Sequence, residues 1–147
     1  MLNRNLTPFF QVAIITGVSS GIGLETAIAF VSAGCNVLGV DLSPAPSGLQ
    51  DSHFSFHQAD LASPSAPSLI VKAAKATFGG RIDILVNVAG IMDRNEGVET
   101  LSDEVWEKVM AVNLTAPVRL MREGGGGYED PGRRGEGARG EYSECVE

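Results

Sequence analysis

Short apolar runs recur along the first ninety residues, and the segments between them are long enough to hold a helix. Val12-Ala13-Ile14-Ile15-Thr16 is continuously apolar up to its last residue, as a parallel strand covered on both faces must be. Gly21 to Ala33 has helix length. It is predicted to turn Ile22, Ala29, Phe30 and Ala33 toward one side, and Gly34 stands where a C-terminal cap belongs. Asn36 to Asp41 predicts a second strand. Phe54 to Gln58, alternating aromatic and polar residues, predicts a third, and Ile82 to Asn87 a fourth. Ser43-Pro44-Ala45-Pro46-Ser47-Gly48 breaks regular structure between the second and third strands. Ser68 to Phe78 suits a helix, and Ser102 is placed to cap another that runs through Trp106 and Met110, both taken as packing groups. A further helix is expected from Val112 to about Arg122. Strands alternating with helices predict an α/β fold, an incomplete Rossmann-type doubly wound parallel sheet, over residues 10–123.

The pattern stops at Gly124. The 24 residues from there to Glu147 hold eight glycines and nine charged residues, with only Tyr128, Ala138, Tyr142 and Val146 as aliphatic or aromatic side chains. Nothing in that composition can build a core, so 124–147 reads as a disordered C-terminal tail. A switch of this kind inside a helical pattern points to a shift of reading frame or a mis-spliced exon near Gly124.

Composition narrows the function. A formal charge of −7 and a pI near 4.8 argue against nucleic acid and anionic membrane as partners, because both select clustered Lys and Arg. A small-molecule ligand is the default. Met1 to Phe10 lacks the apolar run of a signal peptide and no segment reaches the ~20 apolar residues of a membrane span, so a cytoplasmic location is expected. Cys35 and Cys145 are too few for a disulfide framework and lack metal-ligand spacing; two free thiols and no metal site are expected.

Between the first strand and the first helix lies Thr16-Gly17-Val18-Ser19-Ser20-Gly21-Ile22-Gly23. A strand that runs into a glycine-rich turn and then a helix aims backbone N–H groups and the positive end of the helix dipole at one point, where a pyrophosphate fits. Gly17 allows the turn, Gly21 removes bulk where a dinucleotide approaches, Gly23 lets the helix pack close, and Ser19 and Ser20 add hydroxyl donors. Asp41 ends the second strand eighteen residues after Gly23, beside the same crevice. Its carboxylate can accept both ribose hydroxyls of an adenosine and would repel a 2′-phosphate, and neither Val18 nor Leu42 supplies a compensating cation. NAD is therefore the expected cofactor.

With that loop, Asp41, Asp60-Leu61 and Asn87-Val88-Ala89-Gly90 in this order, the chain resembles a classical short-chain dehydrogenase/reductase from about residue 10 to 122. The resemblance implies strands in the order 3-2-1-4 with NAD along their carboxyl ends. It also implies that Asp60 hydrogen-bonds the adenine amino group, that Leu61 lines the adenine pocket, and that Asn87, Ala89 and Gly90 steady the central sheet and contact the cofactor's ribose; Ile22, within the glycine loop, is a further cofactor-binding candidate. Val88 stands where the family usually has a second Asn. Asn113 matches the helix Asn that holds a water in the family's proton relay, a catalytic assignment that competes with a purely structural one.

The implied chemistry is hydride transfer between nicotinamide and an alcohol or ketone, with a Tyr moving the proton, a Lys four residues later lowering its pKa, and a Ser polarising the same oxygen. Tyr128 is followed at that distance by Gly132, and Tyr142 by Val146, while Lys72, Lys75 and Lys108 all lie upstream. Neither tyrosine matches the motif. Ser143 sits in the tail with no strand to hold it. The alternatives are thus an oxidoreductase by descent, a catalytically inactive nucleotide-binding fragment that associates with intact homologous subunits, or a non-functional truncated product. A fourth strand left as an open edge would further favour aggregation and poor solubility.

Overall fold

The computed structural model describes residues 10–125, except positions 94 and 96. The four strands are β1 (Val12–Thr16), β2 (Asn36–Asp41), β3 (Phe54–Gln58) and β4 (Ile84–Asn87). They form one parallel sheet in the order β3-β2-β1-β4. The α-helices are α1 (Gly21–Ser32), α2 (Ala66–Phe78), α3 (Asp103–Met110) and α4 (Ala116–Gly124). The incomplete, doubly wound Rossmann-type sheet implied by the sequence is present, with its order 3-2-1-4. The proposed tail lies outside the described residues apart from Gly124, which ends α4, and Gly125.

Successive strand residues point to opposite faces, and this alternation sorts the core into two layers. Ala13, Ile15 and Val37 pack with Leu24, Ile28 and Val31 of α1 on one face. Ile14, Leu38 and Val40 pack with Ile70, Val71 and Ala74 of α2 and with Ala116 and Leu120 of α4 on the other. Every residue of β1 is buried, which is why the strand reads as an unbroken apolar run. Each fully buried aliphatic side chain contributes about 1.5–3 kcal/mol relative to exposure.

Three expectations need correction. The buried face of α1 is Gly23 and Ala27 with Leu24, Ile28, Phe30 and Val31 half-buried, whereas Ile22, Ala29 and Ala33 are exposed. Close contact at Gly23 sets the helix's rotation, so a face chosen from apolar spacing alone falls out of phase. Helix α2 starts two residues before Ser68, with Pro67 in its first turn, where a missing N–H costs nothing. Strand β4 starts at Ile84, because Asp83 uses its side chain to accept from the Val12 N–H at 2.9 Å while its own N–H donates to the Val12 carbonyl at 2.8 Å.

The segment from Asp103 to Gly124 also differs. Ser102 caps α3 as expected, accepting from the Val105 N–H at 3.3 Å. No new helix begins at Val112. Instead α3 runs through a π-helical turn, Ala111–Thr115, into α4, and the Ala116 N–H donates five residues back to the Ala111 carbonyl. Pro117 explains the turn: it offers no N–H to the Asn113 carbonyl four residues earlier, and its ring crowds that carbonyl.

Candidate functional site

The carboxyl ends of β1, β2 and β4 open into a crevice of about 460 Å³. Its floor is the loop after β1. At Gly17 φ is +79°, a left-handed conformation that a side chain would strain, and an added Cβ would lie 2.9 Å from the Ala89 N. At Gly23 an added Cβ would stand 2.0 Å from the Gly17 carbonyl oxygen, so only glycine lets α1 close on the loop. Ser20 is the N-cap of α1 but its hydroxyl accepts no capping hydrogen bond, and the first turn contains no acidic residue. The amino end of α1 thus presents amide donors and dipole charge without a side-chain anion.

Across the crevice, Asp41 ends β2. One carboxylate oxygen accepts from the Ser19 N–H at 2.9 Å and the other from the Ser43 N–H at 2.8 Å. Each oxygen keeps a second lone pair for a ligand hydroxyl. Ser19, expected to offer its hydroxyl to the phosphates, donates it to the Pro44 carbonyl at 2.7 Å, so the loops after β1 and β2 are clasped together. Asp60 lies after β3, where its Oδ1 accepts from the Ala62 N–H at 2.9 Å, and Leu61 beside it is buried in the core shared with Val112.

The turn after β4 forms the remaining wall. The Thr16 hydroxyl, almost fully buried at the end of β1, accepts from the N–H groups of Val88 and Ala89 at 3.1 and 3.2 Å. Asn113 binds the next stretch of this turn through both ends of its amide: Oδ1 accepts from the Ile91 N–H at 2.9 Å and Nδ2 donates to the Ile91 carbonyl at 2.8 Å. Its side chain therefore acts on backbone, and the π-helical turn is what carries it to Ile91.

Of the residues assigned from sequence, Gly17, Ser20, Ile22, Gly23, Asp41, Asp60, Leu61, Ala89 and Gly90 line the crevice. Ser19, Gly21, Asn87 and Asn113 do not; Asn87 pairs in register with Thr16 and is exposed. Sequence reasoning missed Thr16, Ile91, Val112 and Lys108. Thr16 carried a signal, a hydroxyl ending an otherwise apolar buried strand. Lys108 and Val112 carried one as well, being four residues apart on one helix.

This architecture has close counterparts. A family model described as short chain dehydrogenase matches residues 11–125. The chain belongs to the short-chain dehydrogenase family. Among its relatives in that family, the short chain dehydrogenase ausX of Emericella nidulans is 52% identical over 120 residues, which cover 81% of this chain and 60% of that protein. The asnovolin H dehydrogenase nvfC of Aspergillus novofumigatus is 52% identical over 76% of this chain and 44% of its own length. The chain thus spans about half the length of the curated relatives it matches. A solved 3-ketoacyl-(acyl-carrier-protein) reductase from Brucella melitensis, complexed with NADH, superposes with a TM-score of 0.71 at 31% identity, covering 77% of this chain and 48% of the reductase. A metagenomic short-chain oxidoreductase in complex with NADP gives 0.65 at 29% identity, over 77% of this chain and 54% of that one. Short-chain dehydrogenases of this fold are thus found with either dinucleotide. Among the described residues no helix is long and apolar enough to cross a membrane.

Proposed function

We propose that this short-chain dehydrogenase chain binds NAD(H) in the crevice above β1 and supplies the cofactor-holding half of an oxidoreductase acting on a small-molecule alcohol or ketone. The observation that carries this is the juxtaposition of an uncapped helix amino end with the Asp41 carboxylate across one crevice. The donor set fits the ligand: amides at the start of α1 for the pyrophosphate, Asp41 for the adenosine ribose, and Asp60 with Leu61 for the adenine. The close approach of Gly17 to Ala89 leaves the floor free of side chains where a dinucleotide's backbone would lie. When bound, the nicotinamide supplies the hydride acceptor or donor. The residues around it do the positioning: Thr16 fixes the turn through Val88 and Ala89, and Asn113 fixes Ile91.

Proton transfer is the half this sequence does not provide. Tyr128 and Tyr142 lack a Lys four residues on, and the family match ends at residue 125, where the composition changes. We therefore read residues 11–125 as the cofactor-holding half, assign proton transfer to none of them, and attribute the change of composition to a shift of frame or mis-splicing near Gly124. Transcript sequencing across codons 115–147 checks this: a single frame through the glycine-rich stretch in independent clones rules out a frame shift or mis-splicing. Association with an intact homologous subunit is the second reading. It is favoured by the exposed Trp106, Leu114, Val118 and Met121 along α3, the π-helical turn and α4, and co-purification with a full-length relative tests it.

NAD is favoured over NADP because Asp41 would face a 2′-phosphate with a carboxylate, at a crevice edge where Leu42 adds no cation. In calorimetric titration, NADH is expected to bind more tightly than NADPH. Asp41→Ala should weaken NADH by about tenfold, the worth of a hydrogen bond to a charged group, and narrow the gap between the two. Unchanged NADH affinity in the variant would remove Asp41 from the site.

A further inference from the structure

Lys108 is an exposed residue in the last turn of α3, yet its side chain lines the crevice together with Asp41, Asp60 and Leu61. Among the described residues its ammonium makes no hydrogen bond or ion pair. Among the described residues it is the single Lys or Arg lining a crevice that holds two carboxylates. Position decides what it can reach. Val112 follows Lys108 by four residues, so the two project from neighbouring turns on one side of the helix. Val112 is buried in the cluster that contains Leu61, and it too lines the crevice. Lys108 therefore stands on the side of the crevice wall that Val112 shares with Leu61.

We infer that Lys108 is a cofactor-binding residue that lays its side chain across an adenine ring held by Asp60, Leu61 and Val112; this rests on the proposed NAD(H) site and its adenosine end. Val112 and Leu61 give the ring apolar contact. The methylene stem of Lys108 extends that apolar surface, and its ammonium sits at the wet rim against the ring's electron-rich face. A carboxylate on the edge and a cation on the face make the pocket select a purine base over a neutral apolar group.

The test uses the 147-residue chain and three ligands, NADH, ADP-ribose and reduced nicotinamide mononucleotide, titrated against the parent protein, Lys108→Met and Lys108→Arg. Met keeps an apolar stem and removes the charge. Lys108→Met is expected to lose about two- to five-fold in affinity for NADH and ADP-ribose, the fold-change equivalent of an exposed cation–π contact, and nothing for the mononucleotide. Lys108→Arg is expected to retain parent affinity. The deficit should persist at high salt, where longer-range attraction to phosphates is screened. Parent-like binding of ADP-ribose by Lys108→Met, a parallel loss for all three ligands, or a deficit that vanishes with salt would each overturn the assignment while leaving the NAD(H) site standing. Failure of the parent chain to bind NADH or ADP-ribose at millimolar concentration would instead remove the site itself, and this contact with it.

Discussion

The two sides of the sheet differ in how completely they are enclosed. Around β1, β2 and α1, all of β1 and the middle of β2 are buried, with Ala13, Ile15, Val37 and Val40 at 0% exposure. Around β4, α3 and α4, no strand residue is fully buried, α3 buries nothing, and Trp106, Leu114 and Met121 are each more than half exposed. The first region carries the glycine loop after β1, which meets the second at the close approach of Gly17 to Ala89. The second fixes its crevice wall with hydrogen bonds to Thr16 and Asn113 as well as by packing Ala89, Ile91 and Val112 against the core.

Paired truncations on the two sides test that contrast most severely. Ile14 in β1 and Leu120 in α4 are 1% and 0% exposed, so burial alone predicts equal costs. If surroundings that can relax soften the loss, Ile14→Ala should cost about 4 kcal/mol and Leu120→Ala about 2 kcal/mol in urea unfolding. Equal losses would show that α4 is held as rigidly as the central strand. Next in size is Thr16→Val, which keeps the side chain's shape but strips the acceptor from two part-buried N–H groups. A loss of about 2 kcal/mol is expected, with faster hydrogen exchange at Val88 and Ala89 and unchanged exchange within α1. The smallest effect belongs to Met121, which borders a second cavity of about 330 Å³ beside Leu85 of β4. Met121→Ser should shift stability by no more than about 0.5 kcal/mol but reduce self-association in sedimentation, since it removes exposed apolar surface without opening the core.

The contrast also separates what could be read from sequence from what could not. Strands β1, β2 and β3 were legible to the residue, because burial on both faces or strict alternation leaves little freedom of boundary. Asp41 and the glycine loop were legible because their spacing follows from strand length and from one turn of a helix. The rotation of α1 was not, since it is fixed by a tertiary contact between Gly23 and the Gly17 carbonyl and its apolar residues are spread around the helix. The π-helical turn was announced by Pro117, but the partner that makes the turn useful, Ile91, is set by fold and not by local pattern. Lys108 was counted only as a lysine too early in the chain for the proton-transfer pair. Its place in the crevice depends on how α3 crosses the sheet.

The Asp41 carboxylate has one further consequence, for redesign. Because it holds the Ser19 and Ser43 amides at the same time, the side chain proposed to recognise the ribose is also the knot joining two loops. Exchanging it for a neutral or basic residue to admit a phosphorylated ribose would untie that knot. On the proposed NAD(H) site, changing the cofactor preference would take at least the three positions 19, 41 and 43 together, because a single exchange at 41 would also loosen the crevice.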